Sequence, residues 1–245
     1  MFGNRVAPEE PEASIDFEGA SLNSLTLLLK DPSPAVQADA ACALGDRLRT
    51  GELRGLSDHH RTLLVELIAS APFPVQLEAA IALAEVQDPQ GTPVLVEAVS
   101  RRDFRLDAIS ALGTMADPAA SPVLEYWLNK RWAAWVDRLQ AAAALCRLGH
   151  ANGAAYLQSK LGSKRRAERA AALHFMGESR HPSALKHLLD VLHDAKDPLR
   201  DVAARTLGIL GDTAAIEPLR DTLPEADAEL GSDIRSSLAQ LETQR

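Results

Sequence analysis

The sequence predicts an all-α superhelix, a solenoid of about seven stacked helix pairs. Three observations predict it. An apolar pattern recurs along the 245 residues at intervals of 28 to 39, the size of one supersecondary unit in a repeat protein. The segments between breaks are rich in Ala and Leu, good helix formers, and residues of strand type never gather into alternating runs. Pro and Gly fall at the breaks.

The repeat is registered on six leucines, Leu44, Leu83, Leu112, Leu145, Leu173 and Leu207. Three residues on stands an apolar side chain: Val86, Met115, Leu148, Met176 or Leu210. Five on stands a polar residue suited to begin a helix: Asp88, Asp117, His150, Glu178 or Asp212. Twelve on is always Leu (Leu95, Leu124, Leu157, Leu185, Leu219), and sixteen on come Val99, Leu128, Leu161, Leu189 and Leu223. The Leu at i and i+4 make one stripe of a first helix. Ahead of the anchors, small pairs such as Ala79-Ala80 and Ala141-Ala142 let a second helix approach its neighbours closely. Neither helix buries its stripe alone, so the pairs must stack.

In chain order, residues 1–20 read as a flexible acidic extension punctuated by Pro, and 21–245 as one solenoid. Second helices are expected over 33–49, 73–86, 103–116, 133–148, 163–177, 197–210 and 227–242. Asp31-Pro32, Ala71-Pro72 and Asp197-Pro198 mark the breaks before three of them, since Pro suits a first helical turn. Gly149, Gly177 and Gly211 are expected to stop second helices. The widest interval holds GELRGLSDHH at 51–60, read as a long inter-unit loop. The last pair, from Asp212, is less regular and ends polar, as a cap facing water should.

A net charge of −8 argues against a surface that embraces nucleic acid. The N-terminus lacks the apolar core of a signal peptide, and no run reaches the ~18 apolar residues of a membrane span. Cys42 and Cys146 are too few for a disulfide framework and read as small buried residues in a reducing, bacterial-type cytoplasm.

HEAT-like repeats of a short type are what Asp197 to Asp212 (DPLRDVAARTLGILGD) resembles, the type also called the phycobilisome-lyase HEAT-like repeat. The resemblance extends over nearly the whole chain after residue 20. It implies that second helices line a concave, partner-binding face. The family includes scaffolds, bilin lyases, a di-iron hydroxylase and alkylpurine DNA glycosylases. It also implies that the Arg or Gln seven residues before each anchor (Gln37, Gln76, Arg105, Arg138, Arg166, Arg200) is a structural rung. Its partner would be an Asp that starts a first helix, such as Asp88, Asp117 or Asp212.

The chemistry of a catalyst is thin. The sequence has no His-Glu dipeptide of the hydroxylase kind, and His181, His187 and His193, six apart, diverge around a helix, so no metal is expected. Gly-x-Ser-x-Gly and Gly-rich phosphate loops are absent, and no cofactor is implied. A glycosylase needs aromatics, an acid and a basic groove, and NKRWAAWVDR at 129–138 is the one candidate. Here Trp135 and Val136 read as core, with Trp132 at the turn.

Two surfaces remain. The turns at 100–105, 129–132 and 162–169 would stack Arg101, Arg102, Lys130, Arg131, Lys164, Arg165 and Arg169 into a basic strip, with Trp132 beside it. On the second helices, Asp39, Glu78, Asp107, Gln140 and Glu168 stand five before the anchors, and Asp46, Glu85, Thr114 and Arg147 two after. That concave face is acidic at first, then mixed with Arg138, Arg147 and Arg169. The expected function is a non-enzymatic scaffold or adaptor that binds another protein. A bilin-lyase-like subunit, which requires a tetrapyrrole and a partner subunit, and a nucleic-acid-binding protein of the glycosylase kind are the alternatives.

Overall fold

The computed structural model describes residues 15–243. Among these, fourteen α-helices form seven antiparallel pairs and no strand occurs. The pairs are α1 (Leu22–Leu28) with α2 (Pro34–Arg49), and α3 (Asp58–Ser70) with α4 (Phe73–Glu85). Next come α5 (Thr92–Ala98) with α6 (Arg105–Met115), and α7 (Ser121–Asn129) with α8 (Trp135–Arg147). Then follow α9 (Ala151–Leu161) with α10 (Arg166–Glu178), α11 (Ala184–His193) with α12 (Arg200–Leu210), and α13 (Ile216–Thr222) with α14 (Ala228–Glu242). No helix is long and apolar enough to cross a membrane.

Second helices pack directly on one another along the stack, α2 on α4 through to α12 on α14, whereas consecutive first helices hardly touch. The inner layer is close because its contacts are Ala: Ala40, Ala41, Ala79, Ala80, Ala108, Ala141, Ala142, Ala172, Ala203 and Ala204 are all fully buried. Small side chains on one layer and Leu between layers make each unit a wedge, so the second helices lie on the inside of the curve. All six anchor leucines are buried.

One unit departs from the expected register. Gly177 does not stop α10; it lies inside the helix, where a Cβ would come 2.2 Å from the Thr206 methyl, so its role is close packing. The left-handed stop falls three residues later at Arg180, φ 49°. Gln87, Ala116, Gly149 and Gly211 take that conformation four residues after their anchors. The extension displaces everything behind it by three. His181, not Glu178, accepts the capping N–H, from Ser183. The buried stripe of α11 is Leu188 and Leu192, not Leu185 and Leu189.

Two further expectations are corrected. The loop at 51–60 is shorter, because α3 begins at Asp58 on the Ser57 hydroxyl, which accepts the His60 N–H. Of the expected rung arginines only Arg105 pairs with an Asp among the described residues, and it is Asp137 of the next unit, whose Oδ2 lies 3.2 Å from Nη1; on α10 Arg169, not Arg166, grips Asp197. Each also tightens its own pair, since Arg105, Arg138, Arg169 and Arg200 donate to the carbonyls of Val99, Leu128, Leu161 and Leu192. Those are carbonyls at first-helix C-termini, which have no helical partner. Asp88 pairs instead with Arg61, Asp117 accepts from the Thr92 hydroxyl at 2.6 Å, and Asp212 caps Ala214.

Of the N-terminal extension, residues 1–14 lie outside the described residues. Its last residues are tied to the first unit: Arg47 donates to the carbonyls of Glu18 (2.7 Å) and Ala20 (2.6 Å).

Candidate functional site

The curve of the stack turns six second helices, α2 to α12, toward one groove of about 670 Å³. Its walls differ. At the N-terminal end stand Asp46, Glu78, Glu85 and Asp107 around Arg49 and the Cys42 thiol. Toward the C-terminal end stand Arg147, Glu178 and Arg180, with Ile81, Ala111 and Ile209 as apolar lining.

Part of this charge is spent on holding successive helices together. Arg49 Nε lies 3.0 Å from Glu85 on the next helix, and its Nη1 lies 3.0 Å from Asp46. Arg147 reaches Glu178 at 3.5 Å. Glu178 is held below the usual carboxylate range by its bond to His174, then by the charges of His174 and Arg147. Arg180 has no carboxylate partner among the described residues.

The acidic end carries more negative charge than Arg49 offsets. Burial pushes the Glu78 carboxyl above its usual range; a bond from Cys42 opposes this, while the charges of Asp107 and Asp46 add to it. The same surroundings act on Cys42. Burial, then the negative charges of Glu78 and Asp46, push the thiol up to about 11, so it stays protonated at neutral pH and is a poor nucleophile. Cys42 is nonetheless exposed, and Cys146 half-buried, which corrects the expectation that both are buried.

Glu78 and Asp107, singled out in the sequence, therefore meet in the groove. Asp39 lies one turn earlier on α2, in an adjoining cleft of about 500 Å³ with Phe17 and Arg47. Glu168 is not on this face; it is buried in the first turn of α10, bonded to Lys160 (2.8 Å) and the Ser163 hydroxyl (2.6 Å). Arg138 and Arg169 are spent on carbonyls at the turns, so Arg147 alone of the three faces the groove. Arg180, Ile81 and Ile209 were not visible in the sequence. Arg180 reaches the groove only because the left-handed stop after α10 falls three residues past the expected one.

The basic residues occupy the opposite feature, the edge formed by the turns within pairs. Arg101 pairs with Glu97 and lies over the Phe73 ring, 3.3 Å from its centroid. Lys130 stands over Trp127 at 4.0 Å, and Arg131 over Trp132 at 5.2 Å. Arg102, Lys164 and Arg165 are exposed. Trp132 is 85% exposed at the turn. Trp135, expected in the core, is 40% exposed, and the buried tryptophan is Trp127 at 6%. Trp127 fills the core of its own pair because it comes one residue before Leu128 on the first-helix stripe, while Trp135 opens α8 at the edge.

One hydroxyl–imidazole–carboxylate arrangement occurs on the outside. Ser121 Oγ and His150 Nε2 are 2.9 Å apart, and His150 Nδ1 lies 3.6 Å from Glu125. One unit earlier the same two positions are Thr92 and Asp117, joined hydroxyl to carboxylate. Both pairs are therefore inter-unit rungs. Among the described residues no three His, Cys, Asp or Glu side chains assemble into a metal cage.

Stacked helix pairs with an Ala-packed inner layer define a HEAT-type solenoid. The HEAT repeats family model matches residues 61–137 and 128–205, more than half of the chain, and the chain belongs to that family. Residues 199–223 match the PBS lyase HEAT-like repeat. Among solved structures, 97% of the chain superposes on 99% of a chain from the complex of CpcE and CpcF of phycocyanin lyase from Nostoc, at TM-score 0.57 and 18% identity. Human deoxyhypusine hydroxylase in complex with glycerol is a more distant match, at TM-score 0.41 and 18% identity, over 90% of this chain and 84% of that one. At such identity the likeness is one of fold. No curated protein sequence matches the chain. The expectation of a non-enzymatic protein is corrected by these matches: residues 199–223 match the PBS lyase HEAT-like repeat, and the chain that superposes end to end comes from a phycocyanin lyase complex.

Proposed function

We propose that the protein is a subunit of a bilin-lyase-type assembly, a solenoid that holds a partner protein and takes a linear tetrapyrrole in its concave groove. The observation that carries this reading is the groove itself. Its volume of about 670 Å³ falls within the ~300–1,000 Å³ of small-molecule sites. Its polarity is divided along its length, which suits a ligand with carboxylates at one part and N–H donors at another. Arg147 and Arg180 stand where propionate groups would be held, and Asp46, Glu78 and Asp107 where pyrrole N–H groups would donate. Ile81, Ala111 and Ile209 offer apolar surface to the ring system. Cys42, a protonated thiol among carboxylates, is not the acceptor of the pigment. The acceptor would belong to the partner protein, in keeping with a lyase built as a complex. End-to-end likeness to one chain of such a complex supports the same division of labour.

Titration of the purified protein with biliverdin tests the reading. The expected result is a shifted, intensified long-wavelength absorption band at micromolar protein, lost in Arg147→Ala/Arg180→Ala and weakened in Glu78→Gln. Spectra that merely add would overturn it.

A further inference from the structure

We infer that the edge formed by the turns within pairs is a docking surface for an acidic segment of a partner polypeptide. It lies outside the groove and does not rest on the tetrapyrrole reading.

Three successive turns, at 99–104, 130–134 and 162–165, present Arg101, Arg102, Lys130, Arg131, Lys164 and Arg165. Among the described residues, only Arg101 of these six has a carboxylate partner. The turns lie side by side on one edge. Arg101 of one covers Phe73 of the turn before, and Arg105 reaches Asp137 across to the next. Arg138 lies over Tyr156 of the following pair at 4.9 Å, and Arg166 donates to the Pro198 carbonyl at 3.0 Å. At the third turn the cations also stand where the helix itself disfavours them. Arg165 is the cap residue of α10, with Lys164 before it, facing the positive end of the helix dipole. No side-chain cap begins α6, α8 or α10.

At the middle turn, Trp132, Tyr126 and Trp135 are exposed beside these cations. Exposed Trp, Tyr and Arg gathered at one place are the residues that dominate interface energy. Carboxylates complement the turns, and an apolar side chain between them complements the indoles. A polypeptide fits better than a nucleic acid, because Glu97, Asp103 and Glu125 lie on or beside the same edge. A polypeptide can avoid those acids, whereas a phosphate backbone carries charge at every step. The net charge of −8 acts in the same direction.

The test is fluorescence anisotropy with a labelled Glu-rich peptide carrying a central Phe, run beside an oligothymidylate of equal charge. The peptide should bind in a salt-sensitive manner. Its affinity should fall about tenfold or more in Arg131→Glu/Arg165→Glu and in Trp132→Ala, and less in Arg131→Gln/Arg165→Gln. Lys186→Glu, off this edge on α11, should leave it unchanged. Circular dichroism and the biliverdin titration should be the same in every edge variant, which separates failure here from failure of the groove reading. Tighter binding of the oligothymidylate, unchanged peptide affinity in the edge variants, or an equal loss in Lys186→Glu overturns the inference.

Discussion

The two edges of the solenoid begin most of their helices in opposite ways. Where one pair passes to the next, five first helices follow side-chain caps: Ser21, Ser57, Asp88, Asp117 and Asp212 each accept a backbone N–H, whereas α9 and α11, after His150 and Ser183, have none. Where the chain turns within a pair, second helices start after Ser33, Pro72, Phe104, Ala134, Arg165 and Leu199, with no side-chain cap. Only α14, the last, has one, from Asp227. A cap contributes about 0.5–2 kcal/mol, and a cation at a helix N-terminus opposes the dipole by about 0.3–1 kcal/mol. One edge is therefore built for stability and the other gives some up. The sacrifice is greatest before α10, where Lys164 and Arg165 stand at the helix start, and it fits the inference that this edge is kept for a partner.

The comparison presumes one stack carrying both edges, and a core deletion should break both together. Leu145→Ala, at a fully buried anchor, should cost about 2–5 kcal/mol, read as a lower urea midpoint. An unfolding transition that splits into two would show the edges hang on separate cores.

The next effect separates the edges by sign. Asp117→Ala should destabilise by about 0.5–2 kcal/mol. Arg165→Asp, which supplies a missing cap at an extended residue, should stabilise by about 0.5–1 kcal/mol while weakening the acidic peptide. Thermal melts of the two variants decide it, and a lower melting temperature for Arg165→Asp would break the contrast.

Acid should reach the edges in turn. His60, at the start of α3, bridges Ser57 (2.6 Å) and Thr26 (2.8 Å), and burial, aided by the His59 charge, holds its imidazole below the ordinary value. The unfolded state then binds the proton first, so stability is lost as pH falls below about 6.5. At the turn edge, Asp197 is held low by its bond to Arg169, and Glu168 by Lys160 and Ser163. Their contribution is intact above the ordinary carboxylate range and is lost only as pH falls through the lower folded value, below about 4. Urea midpoints against pH should show two descents. His60→Gln should remove the upper one and Asp197→Asn reduce the lower.

The smallest effect is local to the groove. With its thiol at about 11, Cys42 should react with iodoacetamide far more slowly than a free thiol at pH 8, and Glu78→Gln should speed it. An unchanged rate would mean that Glu78 does not govern the thiol.

Much of this fold was legible because packing leaves a periodic trace. Leu112 and Leu145 could be identified as anchors since a stripe that must be buried repeats wherever a pair repeats. The register of α11 was not legible. Leu185 and Leu189 sit at the expected spacing, and only the stop after α10, three residues late, reveals that Leu188 and Leu192 take the core. Trp135, expected in the core, lies half-exposed for a similar reason: whether it faces inward depends on where α8 starts, and α8 starts at Trp135 itself. The candidate site was legible in part. The acids at Glu78 and Asp107 follow from helical spacing, whereas Arg180 and Ile209 meet them across units far apart in the chain.

The seven pairs, the anchors and the Ala-lined inner layer are written in the residue pattern, because these depend on contacts between neighbours in the chain. Which charges face the groove, which arginines are consumed as rungs, and which turns keep theirs free follow from packing in three dimensions. Those outcomes depend on the curvature of the whole stack. Curvature sums small wedge angles over every unit, and no single repeat records that sum.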